Sequence, residues 1–353
     1  MLLIVLFAIQ LATMAGVLAH GRAWSLKRGL MIGEYFVGRL SRSVDPSLPV
    51  ETPVGYDSQF FWALALDPWM QDPEVARALD SPAYRYQRIG LPVMVWLIPG
   101  DASSVPYRLF AVNLLGWVLG LLALLKLAQE DGVSRLWTGV FYLTNGGLWM
   151  TLVHPMADLC AVTWTLCAFW LWRRQRHALA AVALACGTLT KETTVLVSAF
   201  LALGSALRPG RLGREHLWLV LSVLPGAMWQ YTVAKHFGVW PFEQSQGNFD
   251  LPYVGIAKVF VQALERGDGL PSAWVAAGLG LLCLATILRV RWPATPLEAM
   301  LWGHAVFLSF AGTAILHYAG NALRIAAPFT VLLPLLLLRT HDPVRGDADT
   351  GRH

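Results

Sequence analysis

VPYRLFAVNLLGWVLGLLALLKL, residues 105–127, is an apolar run longer than the roughly 20 residues that an α-helix needs to cross the hydrocarbon core of a bilayer. Runs of the same character recur on both sides of it, at 2–19, 136–153, 158–172, 177–190, 193–207, 216–234, 272–289, 297–316 and 324–339. Together they predict an all-α integral membrane protein with about ten transmembrane helices. Composition points the same way. The 353 residues are 56% hydrophobic and 14% charged, against roughly 45–50% and roughly 25% in soluble domains. Lipid is the expected solvent for most of the chain, so a single transmembrane domain over residues 1–340 is expected rather than several soluble ones. No repeat, low-complexity tract or heptad run divides it further.

The charged residues between the runs set an orientation. Arg173, Arg174 and Arg176, then Arg208, Arg211 and Arg214, then Arg289 and Arg291, and finally Arg339 and Arg345 all fall on one side, which the positive-inside rule makes cytoplasmic. The other side, periplasmic or lumenal, receives the outer loop 20–104, the His154–Asp158 turn, the Lys191–Glu192 turn, the stretch 235–271 and the Tyr318–Arg324 turn. The outer loop is itself rich in arginine, but loops beyond about 60 residues cross largely regardless of charge. The expectation is a multi-pass protein of the bacterial inner (plasma) membrane with both termini cytoplasmic and a disordered cytoplasmic tail at 341–353. The first run lacks a basic flank, so it reads as a retained span rather than a cleaved signal peptide.

Two classes of function are excluded by pattern. The net charge of +5 comes from residues at the ends of apolar runs, not from a basic stripe interleaved with aromatics, so no nucleic-acid partner is expected. Cys160, Cys167, Cys186 and Cys283 lie within apolar segments without metal-ligand spacing and read as packing residues. There is no Walker A, GxGxxG, HExxH, GxSxG or DxD signature, which argues against a nucleotide-fuelled or zinc enzyme.

The outer loop is the largest polar island and should contain short interfacial helices. Asp72-Pro73-Glu74 reads as an N-cap, a first-turn proline and a first-turn acid, predicting a helix to about Leu79. Leu91–Ile98 is too short to span and is closed by Pro99-Gly100, so it should lie in the interface. Upstream, Gly55-Tyr56-Asp57-Ser58-Gln59-Phe60-Phe61 places a carboxylate just before an aromatic helix that ends at Asp67-Pro68. Asp57 is either the cap of that helix or a partly desolvated general base of raised basicity.

Other charged residues extend the candidate site. Arg85 and Arg88 in Tyr84-Arg85-Tyr86-Gln87-Arg88 share a helical spacing suited to gripping phosphate, or they snorkel to headgroups. Lys191 and Glu192 interrupt an apolar stretch, which marks function by default unless the turn reaches water. His154 and Asp158 are four apart, but Pro155 separates them, and Asp158 is also placed to cap the next span. Asn321 and Arg324 sit at the outer end of a span, against the positive-inside trend, which favours anion binding over anchoring.

Taken together, these stretches resemble the membrane glycosyltransferases of the GT-C superfamily, in particular its polyprenyl- and dolichyl-phosphate-sugar-dependent, mannosyltransferase-like branches. The likeness rests on the first span, the long outer loop with Gly55-Tyr56-Asp57, the Tyr84–Arg88 stretch leading into Leu91-Pro92, and the Lys191-Glu192 and Asn321–Arg324 turns. It implies transfer of a sugar from a polyprenyl-phosphate-linked donor to a glycan, lipid or protein acceptor on the outer face, with inversion. Asp57 would be the base, and Arg85, Arg88, Lys191 and Arg324 would hold the lipid phosphate. Tyr56, Gln59, His154, Asp158, Glu192 and Asn321 complete the expected substrate-binding set. No cofactor is expected, with a divalent metal left open, because Asp57 stands alone where many relatives carry an acidic pair. Phosphate departs as a stable anion, so one base and surrounding cations suffice, whereas a glycosidase needs two carboxyl groups. The alternatives are a multi-pass transporter or lipid carrier, although no paired halves are visible, and a catalytically inactive scaffold of the same layout.

Overall fold

The computed structural model describes residues 2–19, 25–207, 213–245, 247–267 and 269–338. Arg208, Arg211, Arg339, Arg345 and the tail at 341–353 lie outside them. The described chain is mostly helical. α1 (Leu2–Ala19) precedes a folded cap over residues 25–104. The cap holds α2 (Gly38–Val44), α3 (Asp57–Leu66), α4 (Pro73–Arg77), α5 (Pro82–Tyr86) and α6 (Gly90–Trp96). It also contains a two-stranded parallel sheet of β1 (Ile32–Gly33) and β2 (Val50–Thr52), with Ile32 opposite Val50 and Gly33 opposite Thr52. No strand was expected there.

The long helices follow. α7 (Val105–Glu130) comes first, and the expected span 136–153 is two helices, α8 (Arg135–Leu143) and α9 (Gly146–Val153). The break between them is made by Asn145, whose side chain accepts from the Leu148 amide at 3.1 Å and so starts a new helix. Next are α10 (Ala157–Arg173), α11 (His177–Thr190), α12 (Val195–Ala206), α13 (Glu215–Phe237), α14 (Val254–Arg266) and α15 (Leu270–Arg289). The expected span 297–316 is likewise divided, into α16 (Pro296–Ser309) and α17 (Thr313–Leu316). Last come α18 (Ala319–Ile325) and α19 (Ala327–Leu337), set at 59° to one another.

Among the described residues, three helices are long and apolar enough to cross a membrane: Ala102–Glu130, Glu215–Phe237 and Leu270–Arg289. The bent α18–α19 pair makes a fourth if it is counted as one span. α11 and the Glu192–Ala206 segment are apolar but shorter. Their length has a local cause, because α11 stops at Lys191 and the next helix begins only after a 3-10 turn, Glu192–Thr194.

Cap boundaries follow the local chemistry. Asp72 accepts from the Glu74 amide at 2.8 Å with Pro73 in the first turn, and α4 ends at Arg77, shortly before the expected Leu79. α3 ends at Asp67, whose carboxylate takes the amides of Gln71 and Asp72 at 3.0 and 2.8 Å. The cap has its own core, containing Leu30, Phe60, Trp62, Tyr86 and Leu91, which is seated on Leu109 of α7, Cys160 of α10 and Val233 of α13. Burying a Phe or Leu side chain such as Phe60 or Leu91 is worth roughly 1.5–3 kcal/mol where the alternative is water. The larger core joins α7–α13, α15, α16 and α19 through residues such as Leu124, Leu166, Leu184, Leu301 and Leu332. Between α7 and α10 a polar contact adds to packing: the Thr163 hydroxyl donates to the Gly116 carbonyl at 2.7 Å.

Candidate functional site

Several helices stop at one level beneath the cap. α9 ends at Val153, α10 begins at Ala157, α11 ends at Thr190, and α18 ends at Ile325. Their turns and ends carry His154, Asp158, Lys191, Glu192, Asn321 and Arg324. A cavity of about 560 Å³ opens there, and its wall includes Asp57, Arg85 and Arg88 from the cap, Lys191 and Glu192 from the turn, and Asn321 and Arg324 from α18.

Two tight backbone approaches place the parts. Gly55 takes a left-handed conformation at φ 80°, and the Tyr56 amide donates to the Met31 carbonyl at 3.0 Å, fixing the start of α3. Gly147 of α9 lies so close to Leu323 of α18 that a Cβ on it would sit 2.2 Å from the Leu323 carbonyl oxygen. A side chain at Gly147 would push Arg324 away from the cavity.

The charges form one network. Arg85 forks onto Asp80 at 2.8 and 2.7 Å and reaches Asp57 Oδ1 at 2.9 Å. Arg324 binds the other oxygen of Asp57 at 2.7 Å and approaches Asp158 at 3.7 Å. Arg88 grips Glu192 with two bonds, 2.8 and 2.6 Å, and donates to the Tyr84 hydroxyl at 2.7 Å. Lys191 closes the set on Asp158. Aromatic faces underlie the guanidinium groups, with Arg85 4.1 Å from the Phe60 ring centre, Arg88 4.7 Å from Tyr84 and Arg324 5.6 Å from Tyr56. Four cations thus meet four carboxylates, so their charges balance. An incoming anion competes with these carboxylates for the cations.

The cap reading of Asp57 needs correction, and so does the raised basicity expected of it as a base. It is the first residue of α3, with Tyr56 at the cap position, and its side chain makes no capping bond. Nor is its basicity raised. Burial pushes the carboxyl up, but the charges of Arg85 and Arg324 and the Arg324 hydrogen bond outweigh it and hold Asp57 well below the usual carboxylate range. The side chain is still 22% exposed, open enough to meet a ligand.

Four expected binding residues do not line the cavity. Gln59 is fully buried, accepting from the Gly33 amide at 2.9 Å and donating to the Val54 carbonyl at 2.9 Å, so it staples the cap and is not free for substrate. Tyr56 donates to Asn321 Oδ1 at 2.6 Å and thereby ties α3 to α18, and burial raises its hydroxyl above the ordinary range. His154 sits over Tyr56, ring centres 5.6 Å apart, with Nδ1 3.0 Å from the Gly29 carbonyl oxygen. Asp158 lies beneath the cavity, where it pairs with Lys191 and Arg324. It is the second residue of α10, Met156 being the cap, and it shares no helix with His154.

The cavity also uses residues that the sequence did not single out: Asp80, Gln230, Gln244 and Asn248. Asp80 has a legible signal, since it stands one helical turn and a little before Arg85. The amides do not, because they lie in segments that read as an apolar span and a featureless outer stretch. Comparison with protein-family models, curated proteins and solved structures returned no match.

Proposed function

We propose that this chain is a polytopic membrane glycosyltransferase, moving a sugar from a polyprenyl-phosphate-linked donor to an acceptor on the periplasmic or lumenal face. The observation carrying this reading is the convergence of Asp57, Arg85, Arg88, Lys191 and Arg324, from widely separated segments, on one cavity. In this reading the shorter apolar helices complete about ten spans with both termini cytoplasmic, in the inner membrane of a bacterium.

The geometry suggests how substrate switches the site on. The donor phosphate offers Arg85 and Arg324 a second anion. As it takes them from Asp57, the restraint on that carboxylate relaxes and its affinity for a proton rises. The acceptor hydroxyl then attacks the anomeric carbon, and its proton passes to Asp57. The bond from that carbon to the phosphate oxygen breaks, and its electron pair leaves with polyprenyl phosphate. The leaving group gains a negative charge in this step, which the freed guanidinium groups stabilise. A single displacement inverts the anomeric centre.

A second reading has an observation in its favour. The 59° bend beside Arg324 and the balanced intramembrane charges also suit a transporter or lipid carrier. The test places the purified chain in sealed vesicles with a polyprenyl-phosphate-linked radiolabelled hexose and membrane extract as acceptor. Transfer of label with release of polyprenyl phosphate is expected. Movement of the intact lipid or of a solute across the bilayer, without cleavage, overturns the reading in favour of transport, and neither activity leaves the inactive scaffold.

A further inference from the structure

The cavity has a part that the ion-pair network does not use. Gln230 on α13, and Gln244 and Asn248 in the segment between α13 and α14, line it together with the rings of Phe249 and Phe307. Those two rings meet edge to face at 5.5 Å. The segment is well anchored. The Gly312 amide donates to the Asn248 carbonyl at 2.8 Å, the Asp250 amide to the Phe310 carbonyl at 2.8 Å, and Phe249 pairs with Ala311 in an antiparallel bridge. On its other side the Tyr84 amide donates to Gln244 Oε1 at 3.2 Å, which ties it to the helix bearing Arg85.

The amide groups keep unused capacity. Gln244 spends one acceptor on Tyr84, Asn248 makes one long bond of 3.4 Å to the Tyr84 hydroxyl, and the Gln230 side chain bonds to none of the described residues. An amide carries a donor and an acceptor side by side, which suits a hydroxyl because a hydroxyl is also both. Phosphate needs donors alone, and a hydrocarbon chain satisfies neither. Residues 241–249 contain no lysine or arginine, and the nearest cation is Arg88, which donates to the same Tyr84 hydroxyl that Asn248 reaches. Aromatic faces add an apolar surface for the C–H side of a pyranose.

We propose that Gln230, Gln244 and Asn248, with Phe249 and Phe307, form the sub-site for a hydroxyl-rich sugar ring, next to the cations that take its phosphate. This rests on the glycosyltransferase reading and specifies which part of the cavity recognises the sugar. The test is binding of two lipids, bare polyprenyl phosphate and polyprenyl-phosphate hexose, to the full chain in nanodiscs. Wild type should bind both lipids, and the sub-site is read from the variants, because the bare phosphate monoester carries more negative charge than the hexose-bearing diester. Gln230→Ala and Asn248→Ala should each weaken the hexose-bearing lipid up to about tenfold, the worth of one or two hydrogen bonds, and leave the bare lipid unchanged. Gln230→Ala removes a side chain that hydrogen-bonds to none of the described residues, and thermal unfolding of the variant checks that its fold is kept. Variants that weaken both lipids alike, or neither, overturn the sub-site while leaving the wider reading in place. Failure of wild type to bind either lipid defeats both proposals.

Discussion

Arg324 and Asp57, near opposite ends of the chain, meet at 2.7 Å, and the same guanidinium stands 3.7 Å from Asp158. A carboxylate from a distant helix thus stands near Asp57, with a cation between the two acids. Asp57 is held ionised and its partners are held in reserve. The proposed transfer would draw on a substrate that rearranges the pairs.

Asp57→Asn should cut sugar transfer by roughly 10²–10⁴-fold, the range for loss of a general base. The variant should still insert and fold, because Arg85 keeps its fork on Asp80 and Arg324 keeps Asp158. Transfer assays normalised to folded protein test this, and full activity removes Asp57 from the role of base.

The titration of Asp57 should depend on ligand. Its folded pKa lies below the ordinary 3.8, so its stabilising contribution is complete above that value and is lost only as pH falls further through the folded value. Difference infrared spectra of wild type against Asp57→Asn should show no protonation in the empty protein from neutrality down to about pH 4. Adding polyprenyl phosphate should move the protonation to higher pH. An unchanged spectrum with bound lipid would contradict the exchange of partners.

Glu192→Gln should strengthen binding of polyprenyl phosphate, by several-fold to about tenfold, because Arg88 loses the carboxylate that competes with the ligand. Equilibrium binding reads the change. Weaker binding would mean that Glu192 aims Arg88 rather than competes for it.

Gln59→Ala should destabilise the protein by about 1–3 kcal/mol, since it strands the buried Gly33 amide and removes a donor from the Val54 carbonyl. Thermal unfolding measures the loss, and KM for the donor should stay unchanged in the folded fraction. A raised KM at unaltered stability would restore the substrate-binding role that the sequence suggested.

A reporter fused after Ser81 should be exposed outside the cytoplasm and one after Arg174 inside it. The structure separates these positions, with Ser81 on the cavity and Arg174 bound to Glu130 at the far end of α7. The reverse labelling would invert the orientation drawn from the arginine clusters.

The sequence by itself determined the helical character, the start of α4 at Asp72-Pro73-Glu74, the end of α3 at Asp67, and which polar turns interrupt the apolar runs. Those features are local: a carboxylate caps the amides next to it, and apolar length is countable along the chain. The tertiary structure decided which of those turns meet. It brought Arg324 and Arg85 to Asp57, gave Glu192 to Arg88, consumed Gln59 in the cap, and added the amides of Gln230, Gln244 and Asn248 to the cavity. It also reversed the sign of the effect on Asp57. Burial raises a carboxyl pKa and neighbouring cations lower it, and the balance depends on distances of a few ångströms to Arg85, 28 residues away in sequence, and to Arg324, near the other end of the chain.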